Sequence, residues 1–334
     1  MRKDRVKELL DALSKWKGRR VVVLGDLILD EFIYGTALRV SREAPVVIIR
    51  YDGNYFCPGG AANAVQNISS MGGLAIPVGV VGRDVDGRRL LKLFGKGVDK
   101  RFIVRSNEME TTKKIRVMAG EYHAQRQQVV RIDKESVGFV SVKLEKELLS
   151  LLKAALKDAD ALLLSDYNQG IFTDTVIEET ISMAKVKGIP VIVDSRFKLG
   201  KFKGVTIATP NELEAAHAVG SDVLDIDVEK VGRKLLKLMK ARAVLITMGK
   251  EGMMLFERRK RTKKVGVIGT REATDVTGAG DTVSSAVTLS LASGLDFEVA
   301  MQLANISASI VVMKRGVATA SIEEIMDRIE RELV

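Results

Sequence analysis

Short apolar runs that alternate with helix-like segments are the feature that most limits the folds open to this chain of 334 residues. Runs typical of buried strands occupy 161–165, 190–194 and 243–247, and segments with the spacing of amphipathic helices lie between them. Further strands are predicted at 21–26 and 75–81. This alternation predicts an α/β fold with a doubly wound, mostly parallel sheet that carries helices on both faces.

Two segments, at about 31–56 and 99–134, interrupt this alternation. Within the second, residues 114–118 alternate between charged and apolar side chains, which is the period-two pattern of a half-exposed strand. We expect these segments to form a small β lid over the site. The chain is therefore predicted to be a single domain, residues 1–334, into which the lid segments are inserted.

Polar or glycine-containing segments follow most of the predicted strands. In open α/β sheets, ligands bind outside the carboxyl ends of the strands. The segments predicted to lie at these carboxyl ends are Gly25-Asp26, Ser165-Asp166, Asp194, Pro210-Asn211, Thr247-Met248-Gly249 and 275–281. Since these ends meet at one edge of a parallel sheet, this edge is predicted to hold the ligand site.

The segment Asp275–Asp281 reads D-V-T-G-A-G-D and precedes a long apolar run that is typical of a helix. Gly278 and Gly280 allow a tight turn and leave room for a ligand. A glycine turn that leads into a helix N-terminus is suited to bind an anion such as phosphate. Asp281 has two interpretations, as a general base that takes a proton from a hydroxyl group or as a helix N-cap, and this segment alone leaves both open.

Composition excludes several classes of function. The single cysteine, Cys57, excludes an internal disulfide, and two histidines, His123 and His217, argue against a His-rich metal centre. The net charge of +10 suits anionic ligands, whereas an aromatic content of 5% and dispersed basic residues argue against nucleic-acid binding. No apolar run is long enough for a membrane helix and the first 20 residues are charged, so no membrane partner is expected and the cytoplasm is the default compartment.

Four motifs in the same order and spacing resemble those of the ribokinase (PfkB) family of sugar kinases. They are the P-G-G-A-A-N segment at 58–63 with its continuation to 68, the N-x-x-E segment at 211–214, the T-x-G-x-x-G segment at 247–252, and 275–281. The resemblance covers essentially the whole chain. It implies the ribokinase-like fold, with ATP and Mg²⁺ as cofactors, and leaves open a requirement for a monovalent cation such as K⁺.

Within that family the chain is most similar to the heptose 7-phosphate kinases of ADP-heptose synthesis. The matching segments are G-D-L-I-L-D at 25–30, S-R-E-A-P-V at 41–46, Q-Q-V-V-R-I-D at 127–133, L-S-D-Y at 164–167 and T-P-N at 209–211. Two places depart from those kinases: Asn168-Gln169 replace Gly-Lys, and Ser195-Arg196 replace Pro-Lys. Many of these kinases are fused to a nucleotidyltransferase with an H-x-G-H motif, which this chain lacks, so no nucleotidyltransferase domain is expected.

The resemblance implies a catalytic role for Asp281 as general base, with the backbone amides of Gly278, Ala279 and Gly280 binding the transferring group. Asn211 and Glu214 would order Mg²⁺, usually through water, although the same pair is typical of a plain helix start. The ATP site would otherwise be formed by Thr247, Gly249, Gly252, Thr277 and Asn305.

The acceptor site implied by the resemblance contains Asp26, Asp30, Gly59, Gly60 and Asn63. Aspartate is also common in turns, so Asp26 and Asp30 could be structural. A phosphate on the acceptor would need cations near the lid, and the candidates are Arg42, Lys113, Lys114, Arg116 and Arg131. Exposed edges of the lid hairpins suit a homodimer.

These roles together imply an ATP- and Mg²⁺-dependent sugar kinase that phosphorylates D-glycero-β-D-manno-heptose 7-phosphate at O1. A first alternative is the same chemistry on another acceptor, such as ribose, fructose, fructose 6-phosphate or a nucleoside. A second alternative is a sugar-responsive binding protein without catalytic activity. The complete 275–281 motif argues against the second alternative.

Overall fold

Helices and strands alternate along most of the chain in the computed structural model, which describes residues 2–120, 126–136, 138–269 and 273–333. The helices in these ranges are α1 (Arg2–Ser14), α2 (Ala61–Ser70), α3 (Val85–Leu93), α4 (Val142–Ala155), α5 (Asp174–Lys187), α6 (Glu212–Ala218), α7 (Val228–Leu238), α8 (Ala279–Ala292), α9 (Phe297–Val311) and α10 (Ile322–Leu333). The strands are β1 (Arg20–Gly25), β2 (Leu27–Val40), β3 (Val47–Gly60), β4 (Leu74–Gly82), β5 (Ile103–Ser106), β6 (Lys113–Gly120), β7 (Gln127–Lys134), β8 (Ala161–Asp166), β9 (Val191–Ser195), β10 (Ile207–Ala208), β11 (Ala243–Thr247), β12 (Met253–Glu257) and β13 (Lys263–Val265).

The larger sheet has nine strands in the order β13-β12-β11-β10-β9-β8-β1-β4-β5. The strands from β11 to β5 run parallel, whereas β12 and β13 add an antiparallel hairpin at one edge. Parallel sheets are covered on both faces, which explains why their strands are continuous apolar runs. The predicted doubly wound, mostly parallel sheet is confirmed.

Two hydrophobic cores lie on opposite faces of this sheet. In β1, Val21 and Val23 belong to one core and Val22 and Leu24 to the other, as the two-residue period of a strand requires. The first core also contains residues of α1, α2, α3, α8, α9 and α10, and the second contains residues of α4, α5, α6 and α7. Helices of the described ranges therefore cover both faces of the sheet, which favours the strand ends as the place for a ligand.

The smaller sheet has the order β3-β2-β6-β7 and contains most of the predicted lid. Its β2–β3 and β6–β7 pairs are antiparallel, but β2 and β6 run parallel. The predicted lid boundaries need two corrections. The β2–β3 hairpin extends from Leu27 to Gly60 rather than from 31 to 56, and Ile103–Ser106 pairs with β4 at the edge of the larger sheet.

Several helices begin at side chains that cap their first turn. Asp84, Ser141, Thr173, Asp227 and Asp296 each accept a hydrogen bond from the backbone N–H three residues further on. Such caps satisfy N–H groups that the helix itself leaves unpaired. Within the described ranges, none of the helices combines the length and the apolar character that crossing a bilayer requires.

The second core supplies a test of the packing. Phe202 is fully buried and contacts Phe172 edge-to-face, with ring centres 5.6 Å apart, whereas Phe197 is 73% exposed. We expect Phe202→Ala to lower the free energy of unfolding by about 3–5 kcal/mol because it leaves a large cavity. The control Phe197→Ala should change it by less than about 0.5 kcal/mol. Urea unfolding of both variants measures this, and equal losses would contradict the packing described.

Candidate active site

The N-terminus of α8 is built around glycine. Gly278 adopts a left-handed conformation with φ 82°, and a Cβ atom there would lie 2.6 Å from Asn63 Nδ2. The Ala279 N–H donates to Val276 O at 3.2 Å, while the N–H groups of Gly278 and Gly280 have no acceptor among the described residues. At Gly280 a Cβ atom would meet nothing nearer than Asp194 Oδ2 at 3.9 Å. Two of the three predicted amides are thus available to an anion.

Asp281 lies in the first turn of α8 and is 4% exposed. Its Oδ2 accepts a hydrogen bond from Asn63 Nδ2 at 2.7 Å, and its Oδ1 accepts one from the Tyr167 hydroxyl at 2.8 Å. Burial raises the pKa of Asp281 to about 6, although the bonds from Asn63 and Tyr167 and the charge of Arg196 oppose the increase. At neutral pH this carboxyl is mostly ionised and can accept a proton.

Three pockets follow one another along this edge of the sheet, and we name them the inner, middle and apolar pockets; Asp281 lines the first two. The inner pocket is lined by Ile28, Asp30, Gly59, Gly60, Asn63, Lys114, Arg116, Arg131, Tyr167, Arg196, Thr277, Gly278, Asp281 and Val317. The middle pocket shares Arg116, Arg131, Tyr167, Arg196, Thr277, Gly278 and Asp281 with it and adds, among others, Asp166, Asp194, Asn211, Glu214, Thr247, Gly249 and Gly280. The apolar pocket shares Thr247, Gly249, Val276 and Gly280 with the middle one and extends to Gly252, Ala279, Val283, Asn305 and Val312.

Most residues predicted for the site line one of these pockets, but Asp26, Arg42 and Lys113 do not. Asp26 is 3% exposed, and its Oδ2 accepts from the backbone N–H groups of Tyr167 at 2.7 Å and Gln169 at 3.2 Å. Burial, followed by the charge of Asp166, raises the pKa of Asp26 to about 7. This geometry argues for a structural role. Arg42 is exposed in the turn between β2 and β3, far along the hairpin from the pockets.

Asp30 lies on the floor of the inner pocket. Its Oδ1 is 2.9 Å from Arg116 Nη1, and both side chains are largely buried. Burial raises the pKa of Asp30, and the neighbouring guanidinium of Arg116 opposes this increase. Glycine is required at position 59, because a Cβ atom on that residue would lie 2.6 Å from the Asp30 carboxylate. Gly59, near the end of β3, thus makes room for a charged side chain that faces the pocket.

Lys114, Arg131 and Arg196 add positive charge to the inner pocket. Lys114 is 7% exposed, and its Nζ lies 3.8 Å from Glu135 Oε1. Burial, together with the charge of Arg196, lowers the pKa of Lys114. The Arg196 guanidinium stacks on the Tyr167 ring, 4.5 Å from its centre. Cations that are buried and close to one another favour an anionic ligand. Lys113, another predicted cation, instead pairs with Glu31 and Asp86 outside the pocket.

Asn211 and Glu214 form a capping box at the start of α6. The Glu214 N–H donates to Asn211 Oδ1 and the Asn211 N–H donates to Glu214 Oε2, both at 2.9 Å. Both residues also line the middle pocket, so the helix-start and ligand-site interpretations are compatible. No group of three or more potential metal ligands of the Asp, Glu, His and Cys types occurs in the part of the chain that the structure describes.

Acidic side chains are crowded in the middle pocket, which Asp166, Asp194, Glu214 and Asp281 line together. Burial raises the pKa of Asp194 well above its usual range, and the nearby charges of Glu214 and Asp281 raise it further. Burial likewise raises the pKa of Glu214. Crowded carboxylates of this kind fit a hydrated divalent cation, which would be held through water rather than by a direct cage of side chains.

The turns around the apolar pocket also depend on glycine. Gly252 has φ 88°, and a Cβ atom there would lie 2.0 Å from Val265 O. Asn305 donates through Nδ2 to Gly266 O at 2.8 Å and thus fixes the end of β13 against α9. Asn305 therefore supports the wall of the pocket as well as lining it.

Tyr167 is the main site residue to which sequence reasoning assigned no role. It was noticed only as part of the L-S-D-Y segment, yet it lines two pockets and contacts Asp281. Its position directly after β8, at the carboxyl end of a parallel strand, is the signal that could have identified it. Ile28 and Val317, which form apolar walls of the inner pocket, carry no such signal.

Comparison with known proteins gives a consistent assignment. A family model described as pfkB family carbohydrate kinase matches residues 19–325. The Bifunctional protein HldE of Geotalea uraniireducens (strain Rf4) is 37% identical over 326 residues, which cover 97% of this chain and 65% of that protein. The Bifunctional protein HldE of Coxiella burnetii (strain Dugway 5J108-111) is 38% identical over 315 residues, which cover 94% of this chain and 64% of that protein. The chain thus spans just under two thirds of the length of these relatives.

Solved structures share the fold at low sequence identity. Arabidopsis thaliana ribokinase complexed with ribose and ATP matches with a TM-score of 0.72 and 19% identity, over 94% of this chain and 99% of that one. Phosphofructokinase-2 from Escherichia coli in complex with potassium matches with a TM-score of 0.78 and 20% identity, over 94% and 98%. These likenesses confirm the ribokinase-like architecture.

The close approach of Gly278 to Asn63 can be tested by comparing Gly278, at the start of α8, with Gly294, which follows the end of that helix. Gly278→Ala places a Cβ atom 2.6 Å from Asn63 Nδ2, whereas Gly294, with φ 75°, has open space around it. Both changes should cost about 1–2 kcal/mol of unfolding free energy because alanine disfavours left-handed backbone. Gly278→Ala should cost about 1–3 kcal/mol more, since it disturbs a buried hydrogen bond to a charged group. Equal losses in urea unfolding would contradict this close approach.

Proposed function

This chain belongs to the pfkB family of carbohydrate kinases, which transfer a phosphoryl group to a sugar hydroxyl, and we propose that its acceptor is D-glycero-β-D-manno-heptose 7-phosphate. In this proposal ATP is the donor, the O1 hydroxyl is the acceptor atom, and the product is the 1,7-bisphosphate. The motifs shared with heptose 7-phosphate kinases and the 37% identity to an HldE protein support this acceptor. The observation that carries it is the cluster of cations in the inner pocket.

The proposed ATP site extends across the apolar and middle pockets. An adenine ring suits the apolar pocket, where Val276, Val283 and Val312 provide nonpolar walls. The phosphates would extend through the middle pocket toward the N–H groups of Gly278 and Gly280. The γ-phosphoryl group would then lie beside Asp281, which borders both the inner and the middle pocket.

The proposed transfer step uses Asp281 as the general base. The proton of the acceptor O1–H group passes to the carboxylate while O1 forms a bond to the γ-phosphorus. The bond from that phosphorus to the bridging oxygen breaks, ADP leaves with the oxygen, and the proton is later released to water. The pKa of about 6 leaves Asp281 ionised at neutral pH yet more basic than an exposed aspartate. The free amides of Gly278 and Gly280 would stabilise charge on the transferring group.

Asn211 and Glu214 are proposed to hold Mg²⁺ through water in the middle pocket. The crowding of Glu214 and Asp194 there is relieved by a cation, which supports this assignment. When bound, Mg²⁺ would neutralise charge on the ATP phosphates. The capping box would keep both side chains at the pocket wall and preserve their spacing.

The acceptor is proposed to bind with its O1 at Asp281 and its 7-phosphate near Lys114, Arg131 and Arg196. Four basic side chains line this pocket against two acidic ones, Asp30 and Asp281, so the lining keeps an excess of positive charge. Acids still lie close to three of the four, since Arg116 pairs with Asp30, Arg131 pairs with Asp133, and Lys114 lies 3.8 Å from Glu135. A phosphate monoester carries a charge close to −2 at neutral pH and accepts several hydrogen bonds. Asp30 would accept hydrogen bonds from sugar hydroxyls, since carboxylates form charge-assisted bonds.

A homodimer formed through the small sheet is also proposed, within the cytoplasm as the compartment that supplies ATP. All but the last residue of β7 is exposed, and its apolar side chains Val129, Val130 and Ile132 face solvent. The strand lies at the edge of its sheet, where unpaired backbone groups can join a second copy. Size measurement in solution tests this assembly.

The role of Asp281 predicts the effect of one substitution. Asp281→Asn should lower kcat by roughly 10²- to 10⁴-fold because the amide cannot accept the proton. ATP affinity should change little, since the apolar pocket and most of the middle pocket are retained. Asp296→Asn is a matched control, because Asp296 caps α9 and asparagine is an equally good cap. Coupled measurement of ADP release tests this, and activity in Asp281→Asn close to the wild type would exclude the assigned base.

The role of Lys114 predicts a selective loss. Lys114→Met should lower kcat/KM for the heptose 7-phosphate by roughly 10- to 100-fold, because a charge-assisted hydrogen bond is lost. The same heptose without its phosphate should be affected much less. Lys134→Met, on the last residue of β7, is the control that removes a charge outside the pocket, where Lys134 pairs with Glu110. Equal losses with both acceptors would contradict a phosphate contact at Lys114.

A further inference from the structure

Two buried carboxylates hold the loop that follows β8. Asp26 Oδ2 accepts from the backbone N–H groups of Tyr167 at 2.7 Å and Gln169 at 3.2 Å. Asp166 Oδ1 accepts from the N–H of Asn168 at 2.9 Å. Asp26 and Asp166 are 3% and 1% exposed. Three consecutive backbone N–H groups therefore donate to buried Asp side chains, which satisfies polar groups that would be costly to leave unpaired.

Further contacts fix this loop from both sides. Asp166 Oδ2 accepts from the Ser195 hydroxyl at 2.7 Å, which anchors the carboxylate to the end of β9. Gln169 Nε2 donates to Glu135 Oε1 at 3.1 Å. Asn168 has φ 62°, a left-handed conformation that asparagine tolerates better than most residues. The loop therefore has a defined backbone path, and that path sets the position of Tyr167.

Tyr167 uses this fixed position to contact Asp281. Its hydroxyl donates to Asp281 Oδ1 at 2.8 Å, while Asn63 Nδ2 donates to Oδ2 at 2.7 Å. The stacked Arg196 guanidinium holds the ring itself. One donor on each oxygen fixes the plane of the carboxylate, and each oxygen keeps a lone pair that can accept the proton of an acceptor hydroxyl.

We propose that Tyr167 is a positioning residue for Asp281, and that Asp26 acts on the reaction by holding Tyr167 in place. This inference rests on the proposed role of Asp281 as general base. It gives the Gly25-Asp26 and Asp166-Tyr167 segments one common purpose, since the carboxylate of the first holds the backbone of the second. It also explains why a second aspartate lies near the pocket without lining it.

Several charged or titratable groups face Asp281, and they determine what removal of the Tyr167 hydroxyl would do. They are Asp30 from β2, Asp194 and Arg196 from the end of β9, and Tyr167 itself. Burial raises the pKa of Asp281, whereas the hydrogen bonds from Asn63 and Tyr167 lower it. Loss of the hydroxyl removes one donor to the ionised form, so the pKa of Asp281 should rise.

The decisive variant is Tyr167→Phe, which keeps the ring and removes only the hydroxyl. We expect the acid limb of the kcat/KM profile to move to higher pH by about one unit, because a bond to a charged group is lost. The acceptor phosphate and Asp26, whose pKa is about 7, also titrate in this range, but both are present in the two enzymes and the bond from the backbone N–H of residue 167 to Asp26 is retained, so the difference reports on Asp281. Tyr51→Phe is the matched control, since its exposed hydroxyl donates to Asn54 Oδ1 at 3.0 Å on the small sheet.

A double-mutant cycle tests the part assigned to Asp26. If Asp26 acts through Tyr167, Asp26→Asn should lower kcat/KM several-fold in the wild type but much less in the Tyr167→Phe background. Independent losses would overturn that link. An unmoved acid limb in a folded Tyr167→Phe enzyme would overturn the positioning role, and if Asp281→Asn is inactive at the same time, the base assignment itself survives. Activity in Asp281→Asn would instead reject the proposed base.

Discussion

The hydrogen bonds to the buried Asp281 carboxylate hold together parts of the chain that are distant in sequence. Asn63 on α2 and Tyr167 after β8 each donate to one of its oxygens. Two further hydrogen bonds connect α8, which carries Asp281, to α2. Thr282 Oγ1 donates to Asn67 Oδ1 at 2.9 Å, and Ser285 Oγ donates to Ala64 O at 3.1 Å. A shift of either helix would leave a buried charge without its partners, which is costly. The need to satisfy this one charge therefore sets the geometry of the site.

The pockets on the two sides of that carboxylate differ in their acidic side chains. Arg116, Arg131 and Arg196 line both pockets, Lys114 lines only the inner one, and Asp194 and Glu214 line only the middle one. A phosphate-bearing sugar suits the first environment, and a nucleotide with a hydrated divalent cation suits the second. The glycine turn of α8 lies where they meet, with amides free to contact the group that passes between them. In the proposed reaction the shared arginines and these amides would face both anionic ligands.

The fold was largely predictable because parallel strands buried on both faces are apolar runs, which local sequence reveals. Pairing between distant strands was harder to predict. After a one-residue break at Asp26 the chain continues into the long strand β2, which pairs in parallel with β6, and nothing in the local pattern indicates that partner. For the same reason Ile103–Ser106 was included in the lid although it joins the larger sheet.

Within the site, residue types were predictable but their orientations were not. Asp26 and Asp30 are four positions apart and chemically identical, yet only Asp30 lines the inner pocket, where Gly59 makes room for it. The bond between Tyr167 and Asp281 joins residues 114 positions apart, so no local motif could reveal it. Motifs locate the segments of a site, whereas hydrogen bonds to buried groups decide which side chains face the ligand.

The most direct test of the central claim is ³¹P NMR of the protein with Mg·ATP and D-glycero-β-D-manno-heptose 7-phosphate. The proposed reaction predicts that a new anomeric phosphate signal grows in proportion to ADP while the 7-phosphate signal is retained. Ribose and fructose 6-phosphate, tested in parallel, should give far slower ADP formation. ADP release without an anomeric phosphate, or rapid turnover only with another sugar, would contradict the assignment of this heptose phosphate as the acceptor.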